Sequence, residues 1–494
     1  MTNPFQFSVE LGATPPDQRR QPGDPLRILV LSDLGTSCRS RTGDTLETRA
    51  MRRLDVDALE TLLKDEAPRL NLPAGPFAPN EIDDFHADQL VQSFPVFQAL
   101  TDLRSRLIVP ATFDKAAEEV RAVLQASGET AQDAVPARAE TDTDTLSRLF
   151  GQTSEAGTAS GPPDAGGYID RLLRDAVADH VVEDAEPGAE PYVQAVDAAA
   201  ADHLRAILHD PSFQSLEAAW RGLDLLASNI ETDEELSIHV WNVGKSELQA
   251  ALGPEGQPLD QTLLHRRIVA EYADAPFTLI MTDGAFEDTT EDLRLLASLG
   301  ALAGRTGAAV LVNVDAQLIG APSWHAIANA PEAFGDASDG WTALQSSPMG
   351  QHIVALGPKF LMRTSYGKRR DPVDAFFDFE EVQDPATDHE AFLWGAPSLV
   401  ATVLIARAFR EDGWNTRLDS ALTYGDLPLV SFEAGGVPVM KPCAEAPLSE
   451  RVAEAVLERG VVPLVALRNQ NAVRLPWLRT MSRAGETRVV PFLC

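Results

Sequence analysis

From Asp202 onward, short β-rich runs alternate with stretches of helical spacing, and that order confines the chain to an α/β sheet fold. Phe277 to Met281 and Ala309 to Val314 are brief apolar runs bounded by turn residues, with the helical pattern Leu293 to Ala303 between them. Leu236 to Val243 alternates as a half-buried strand does, and Ile353 to Leu356 is strand-like. Phe213 to Leu226, Ala396 to Phe409 and Ser449 to Glu458 read as helices. Nearer the N-terminus, Pro25 to Leu31 reads as a buried strand that runs into the turn-like Ser32-Asp33-Leu34-Gly35. Leu54 to Leu70 has helical spacing, with Val56, Leu59, Leu62 and Leu63 on one face. Asp88 to Leu107 is amphipathic and interrupted at Pro95, and Phe113 to Leu124 is a third helix pattern.

Between these two regions the composition changes. Residues 126–200 carry 15 acidic and 4 basic side chains, with Gly, Pro, Ser and Thr throughout, and read as a flexible, self-repelling linker. Two apolar islands interrupt it, Leu146 to Phe150 and Tyr168 to Val182; the second suits either a short packed helix or a docking peptide. The expected organisation is a small α/β domain over residues 1–125, the acidic linker over 126–200, and a larger α/β domain over 201–494.

The charge excludes some functions. A formal net charge of −33 over 494 residues argues against nucleic-acid binding, which needs a basic surface to displace counterions. The longest apolar runs are too short to span a bilayer, and Met1 to Glu10 lacks the basic start and apolar stretch of a signal peptide. Three cysteines, Cys38, Cys443 and Cys494, offer neither a disulfide framework nor a zinc site, so a cytoplasmic setting is expected.

Chemistry is hard to find. The sequence has no GxGxxG, HExxH or GxSxG. Gly244-Lys245-Ser246 ends like a phosphate loop, but His239 stands where the opening glycine is needed. His203 and His209 are six apart and do not share a helical face; they read as packed or surface residues. Asp83-Asp84 and Glu380-Glu381 are chain neighbours that point apart, and read as turn and cap residues. The basic cluster Lys368-Arg369-Arg370 stands out in so acidic a chain and suits either a solvated loop or a contact with an acidic face. No catalytic residue, cofactor or metal is expected.

Other segments are more specific. Ile207-Leu208-His209-Asp210-Pro211-Ser212-Phe213-Gln214-Ser215-Leu216-Glu217-Ala218-Ala219-Trp220-Arg221-Gly222-Leu223 resembles a signature of the large subunit of the type VI secretion contractile sheath. Further stretches of that family follow in order: Ala355 to Arg363, including Pro358, Phe360 and Arg363; Tyr366-Gly367; Asp371 to Phe376; and Phe392 to Ala396, including Trp394 and Gly395. Gly413-Trp414, Lys441 to Glu445 and Gly460 to Leu464 complete a series that covers about Asp202 to Val473. Pro25 to Gly35, Ile82 to Asp88 and Leu103 to Leu107 resemble the small sheath subunit, so two normally separate subunits look fused, with the acidic stretch as a tether that raises effective concentration. Read from the residues alone, Phe213, Leu216, Trp220 and Leu223 form one apolar helix face, and Glu217 with Arg221 is an i, i+4 pair, worth a few tenths of a kcal/mol if exposed.

The resemblance implies a non-enzymatic structural subunit. It would assemble with other copies of itself around an inner-tube ring protein, meet baseplate components, and be recycled by an AAA+ unfoldase that recognises an N-terminal helix of the large subunit. Large subunits of this kind continue for several tens of residues past the equivalent of Val473 and carry strands that pair across protomers; here Arg474 to Cys494 follows. A non-contracting adaptor that stays monomeric or forms a small ring is the alternative. Two inter-subunit strands are expected. One is Phe5 to Val9, where Phe5, Phe7 and Val9 alternate with polar residues; the other holds Val489, Val490 and Phe492, limited by Pro491 to an edge or bulge.

Overall fold

A computed structural model describes residues 20–35, 45–118, 120, 189–434, 436–483 and 489. The strands that organise it are β1 (Leu26–Ser32), β2 (Arg52–Leu54), β3 (Leu236–Asn242), β4 (Leu279–Phe286), β5 (Ala309–Val314), β6 (Ile353–Gly357), β7 (Phe360–Leu361), β8 (Trp394–Gly395), β9 (Val430–Ala434), β10 (Val437–Lys441) and β11 (Val461–Pro463). Seven form one sheet in the order β11-β6-β5-β4-β1-β3-β2, and all are parallel except the edge strand β2. The α/β class follows from the alternation of strands and helices. β3, expected to be half-buried, is buried along nearly its whole length, because a parallel sheet carries helices on both faces.

The sheet does not divide at the acidic segment. β1 pairs in register with β3 from Leu26↔Leu236 to Ser32↔Asn242, and with β4 from Ile28↔Leu279 to Leu31↔Thr282. Its side chains alternate between two cores: Leu26, Ile28 and Val30 join one, Leu29 and Leu31 the other.

Helices follow their local signals. α1 (Val56–Glu66) is capped by Asp55; its Leu59, Leu62 and Leu63 are buried, but Val56, expected on the same face, is 63% exposed in the first turn. The pattern read over Asp88 to Leu107 is two helices, α2 (Ala87–Ser93) and α3 (Pro95–Ile108), and Pro95 opens the second, where its missing N–H is harmless. Residues 110–118 are helical too. α4 (Ala189–Leu208) leads into α5 (Pro211–Asn229), where Asp210 accepts from the N–H groups of Ser212 and Phe213. α6 (Lys245–Ala251) and α7 (Thr290–Thr306) pack in one core, and α5 packs with α8 (Pro397–Asp412) in the other. α5 and α8 approach closely at Gly222, where a Cβ would stand 2.9 Å from Leu399 Cδ1.

Residues 20–118 are bound to α4 and the chain that follows it by more than the sheet. Phe77 and Phe85 lie 5.3 and 5.8 Å from the ring of Phe213, and Phe97 stacks on Phe377 at 6.4 Å. Arg104 donates to Asp197 at 2.6 Å, and Trp414 Nε1 donates to the carbonyl of Asp24 at 2.7 Å. The islands Leu146 to Phe150 and Tyr168 to Val182, and the expected strand Phe5 to Val9, lie outside the described residues.

A protease site engineered between residues 126 and 188 tests this packing. Once cut, the two pieces should co-elute on size exclusion and separate only in denaturant. Deleting residues 20–35 should abolish soluble expression, because the sheet loses an interior strand paired on both edges. Pieces that part in native buffer would refute the shared sheet.

Candidate assembly site

The signature residues converge in the interior. Phe213, Leu216 and Trp220 are buried on α5. Trp220 Nε1 has no hydrogen-bond partner among the described residues, so that side chain acts through its apolar area. Pro358 and Phe360 are buried just beyond β6, and Phe360 pairs across the short β7–β8 ladder with Gly395, beside Trp394. A Cβ on Gly395 would lie 2.8 Å from Phe360 Cζ, so that ladder position requires glycine.

The polar members form a buried ion network. Glu217 is fully buried, so the helix-surface pair read from its spacing to Arg221 is instead part of the core. Its Oε1 accepts from Arg221 Nε at 2.7 Å and from Arg363 Nε at 2.8 Å. Arg363 also donates from both terminal nitrogens to Glu381, at 2.8 Å each, and its guanidinium lies 4.5 Å from the centre of the Tyr366 ring. Glu381, read from sequence as a turn or cap residue, is 1% exposed and also accepts from the N–H of Tyr366 at 2.7 Å. Its neighbour Glu380 points away, and its carboxylate accepts from the N–H of Lys368. Burial alone would push the Glu217 carboxyl up; the charges and hydrogen bonds of Arg363 and Arg221 outweigh it and hold the group below the ordinary carboxylate range. Burial pushes the Tyr366 hydroxyl up to about 12. Nothing in the local sequence marks Glu381 as a partner, because 164 residues separate it from Glu217.

Other candidates are engaged structurally. Lys245, in the loop-like Gly244-Lys245-Ser246, donates to the buried carboxylate of Asp292 at 2.9 Å and to the Ala285 carbonyl. In the basic cluster, Lys368 pairs with Asp378 at 2.6 Å and Arg370 donates to Ser365, while Arg369 is exposed.

One surface was missed in the sequence. Among the described residues β9 and β10 pair only with each other, and near them Leu429, Val437 and Val439 are exposed, Val437 by 60%. The signal was present: Gly435-Gly436 between two apolar runs is a hairpin pattern. Of the expected inter-subunit strands, Val489 is buried in its own chain's core, and Val490 and Phe492 lie outside the described residues. Among the described residues, no helix is long and apolar enough to cross a membrane.

Arg363→Met should leave Glu381 without a counter-charge and Glu217 with Arg221 alone, and cost about 3–5 kcal/mol in urea unfolding at neutral pH. Adding Glu217→Gln and Glu381→Gln should recover most of that loss. The folded Glu217 pKa is depressed, so its contribution is complete above pH 4.5 and is lost as the pH falls through the lower folded value. The gap between wild type and Arg363→Met should therefore narrow only in acid. Trp220→Ala should cost about 3–5 kcal/mol by opening a core cavity.

A family model described as EvpB/VC_A0108, tail sheath N-terminal domain, matches residues 190–476, which hold every strand of the sheet except β1 and β2. The type VI secretion system sheath protein TssC1 of Pseudomonas aeruginosa is 29% identical over 336 residues, covering 63% of this chain and 66% of that relative, just under two thirds of its length. The chain belongs to the VipB family of tail sheath proteins.

Proposed function

We propose that the chain is a structural subunit of a contractile sheath of the type VI secretion kind, assembling in the cytoplasm around an inner tube of ring proteins to drive effector translocation. The observation that carries this reading is the sheath-family match over 190–476, which spans the signature core of α5, β7 and β8. Its partners are other copies of itself, the inner-tube ring protein, baseplate components and a recycling AAA+ unfoldase. Residues 1–125 act in it as the small-subunit part and residues 201–494 as the large-subunit part.

The β9–β10 hairpin supports self-association. A two-stranded sheet leaves unpaired backbone groups on both outer edges, and exposed Val437 and Val439 give an incoming strand an apolar surface. Phe5 to Val9 of a neighbouring copy is the donor, since its alternation leaves one apolar face for such an edge.

Negative-stain microscopy of the chain co-expressed with an inner-tube protein should show sheathed tubes; monomers or small rings alone would refute the sheath role. Deleting residues 1–10 should leave circular dichroism unchanged and shift sedimentation toward monomers. Val437→Asp with Val439→Asp should do the same. An unchanged distribution in both variants would place the contacts elsewhere.

A further inference from the structure

The two outer edges of the β9–β10 hairpin are not equivalent. β10 contains Pro438, which has no N–H to donate. Within a strand a proline sits where its N–H would point away from the ladder, so the backbone of Pro438 faces the outer edge of β10. Backbone direction alternates along a strand, and opposite residues in an antiparallel pair point outward together. The outward positions are therefore Pro438 and Met440 on β10, and their partners Glu433 and Ser431 on β9. The edge of β9 offers an N–H and a C=O at both positions, whereas that of β10 lacks one donor. Ser431 and Glu433 are exposed, and among the described residues nothing pairs with their edge.

The hairpin is fixed at its foot. Val430 is buried in a small core with Leu361 and Phe392. Lys441, opposite Val430, lies 4.4 Å from the centre of the Phe392 ring and donates to the Pro385 carbonyl at 3.0 Å. Farther out on the same face, Phe432 stands opposite Val439; Phe432 is half-buried and Val439 is 38% exposed. Ser431 and Glu433 lie on the other face. A strand that extends the sheet at β9 must then be apolar on one face and polar on the other.

Phe5 to Val9 meets that requirement, with Phe5, Phe7 and Val9 on one face and Gln6 and Ser8 on the other. Its flanks fix the register. In an antiparallel pairing, the more stable kind per residue, placing Phe7 opposite Phe432 sets Gln6 and Ser8 against the two outward residues of β9. A shift of two residues one way brings Pro4 to an outward position and loses a donor. A shift of two the other way puts Glu10 on the face of Glu433. A shift of one would turn all three apolar side chains onto the polar face.

We infer that the outer edge of β9, and not that of β10, receives Phe5 to Val9 of a second copy, antiparallel and with Phe7 opposite Phe432. The inference rests on the strand-addition reading given above and adds to it the edge and the register.

Cysteine pairs in the full chain test this, with Cys38→Ser and Cys494→Ser in place and Cys443 left buried. In the inferred register the Cα atoms of residues 7 and 432 stand about 4.5 Å apart, within reach of a disulfide. Residues 7 and 439 are then two strands apart, roughly 9–10 Å, and out of reach. Mild oxidation should link Phe7→Cys/Phe432→Cys chains into covalent multimers and leave Phe7→Cys/Val439→Cys chains unlinked. Ser431→Pro should shift sedimentation toward monomers, because it removes an outward donor, and Met440→Pro should not; neither breaks a bond within the hairpin. The reverse pattern, with links at residue 439 and sensitivity at Met440, would overturn the choice of edge and leave strand addition standing. Links within single chains would overturn the second copy as the source. No link in either pair, in assemblies that still need residues 1–10, would overturn the hairpin as the acceptor. Assemblies indifferent to the loss of residues 1–10 would refute the strand-addition reading itself, and this inference with it.

Discussion

β1 is hydrogen-bonded on both edges, and the sheet depends on it. Without it, β3 and β4 would stand two strand spacings apart, roughly 9–10 Å, with their facing N–H and C=O groups unpaired. Both cores would lose their centre, since β1 contributes buried side chains to each. The partners of Leu26 are Leu236 and the strands beyond it, so the fold rests on a pairing across more than two hundred residues. Closing so long a loop costs entropy, and a chain connection limits that cost compared with two separate polypeptides.

The ion network around Arg363 holds a different joint. It connects α5 to the segment that follows β7, through Glu217 on one side and Glu381 on the other. Removing three charges from water is costly, and their mutual attraction offsets that only when the geometry is good and hydrogen bonds are complete. Both conditions are met, with fork-to-fork contact to Glu381 and further donors from Arg221 and the Tyr366 N–H. An apolar set could contribute as much net stability, but it would not specify one direction of approach between the helix and the segment.

Charge is unevenly used in the molecule. Arginines are drawn into buried or bridging positions, as at Arg49, Arg267 and Arg363, and the acidic excess is left to the surface. A chain so negative repels its own copies at long range, so assembly needs short-range apolar contact or local basic groups. The exposed valines of the β9–β10 hairpin and the Lys368-Arg369-Arg370 loop offer contacts of those two kinds.

Several elements were legible because local signals decide them: β-branched runs marked β1, β4 and β5, and Pro95 marked a break between helices; α4 was not, since its first turns lie in the acidic stretch that reads as a linker. Family membership was legible in the motif from Ile207 to Leu223, since core packing demands those residue types at those spacings. The sequence could not say that β1 would lie between β3 and β4 and not head a sheet of its own, because strand neighbours are chosen by packing over the whole chain. Nor could it show that Glu217 would be buried against Arg363 and Glu381. Periodicity records which face of an element turns inward; which distant element comes to cover that face is settled only when all the apolar surfaces compete for burial together, and that competition is the tertiary structure.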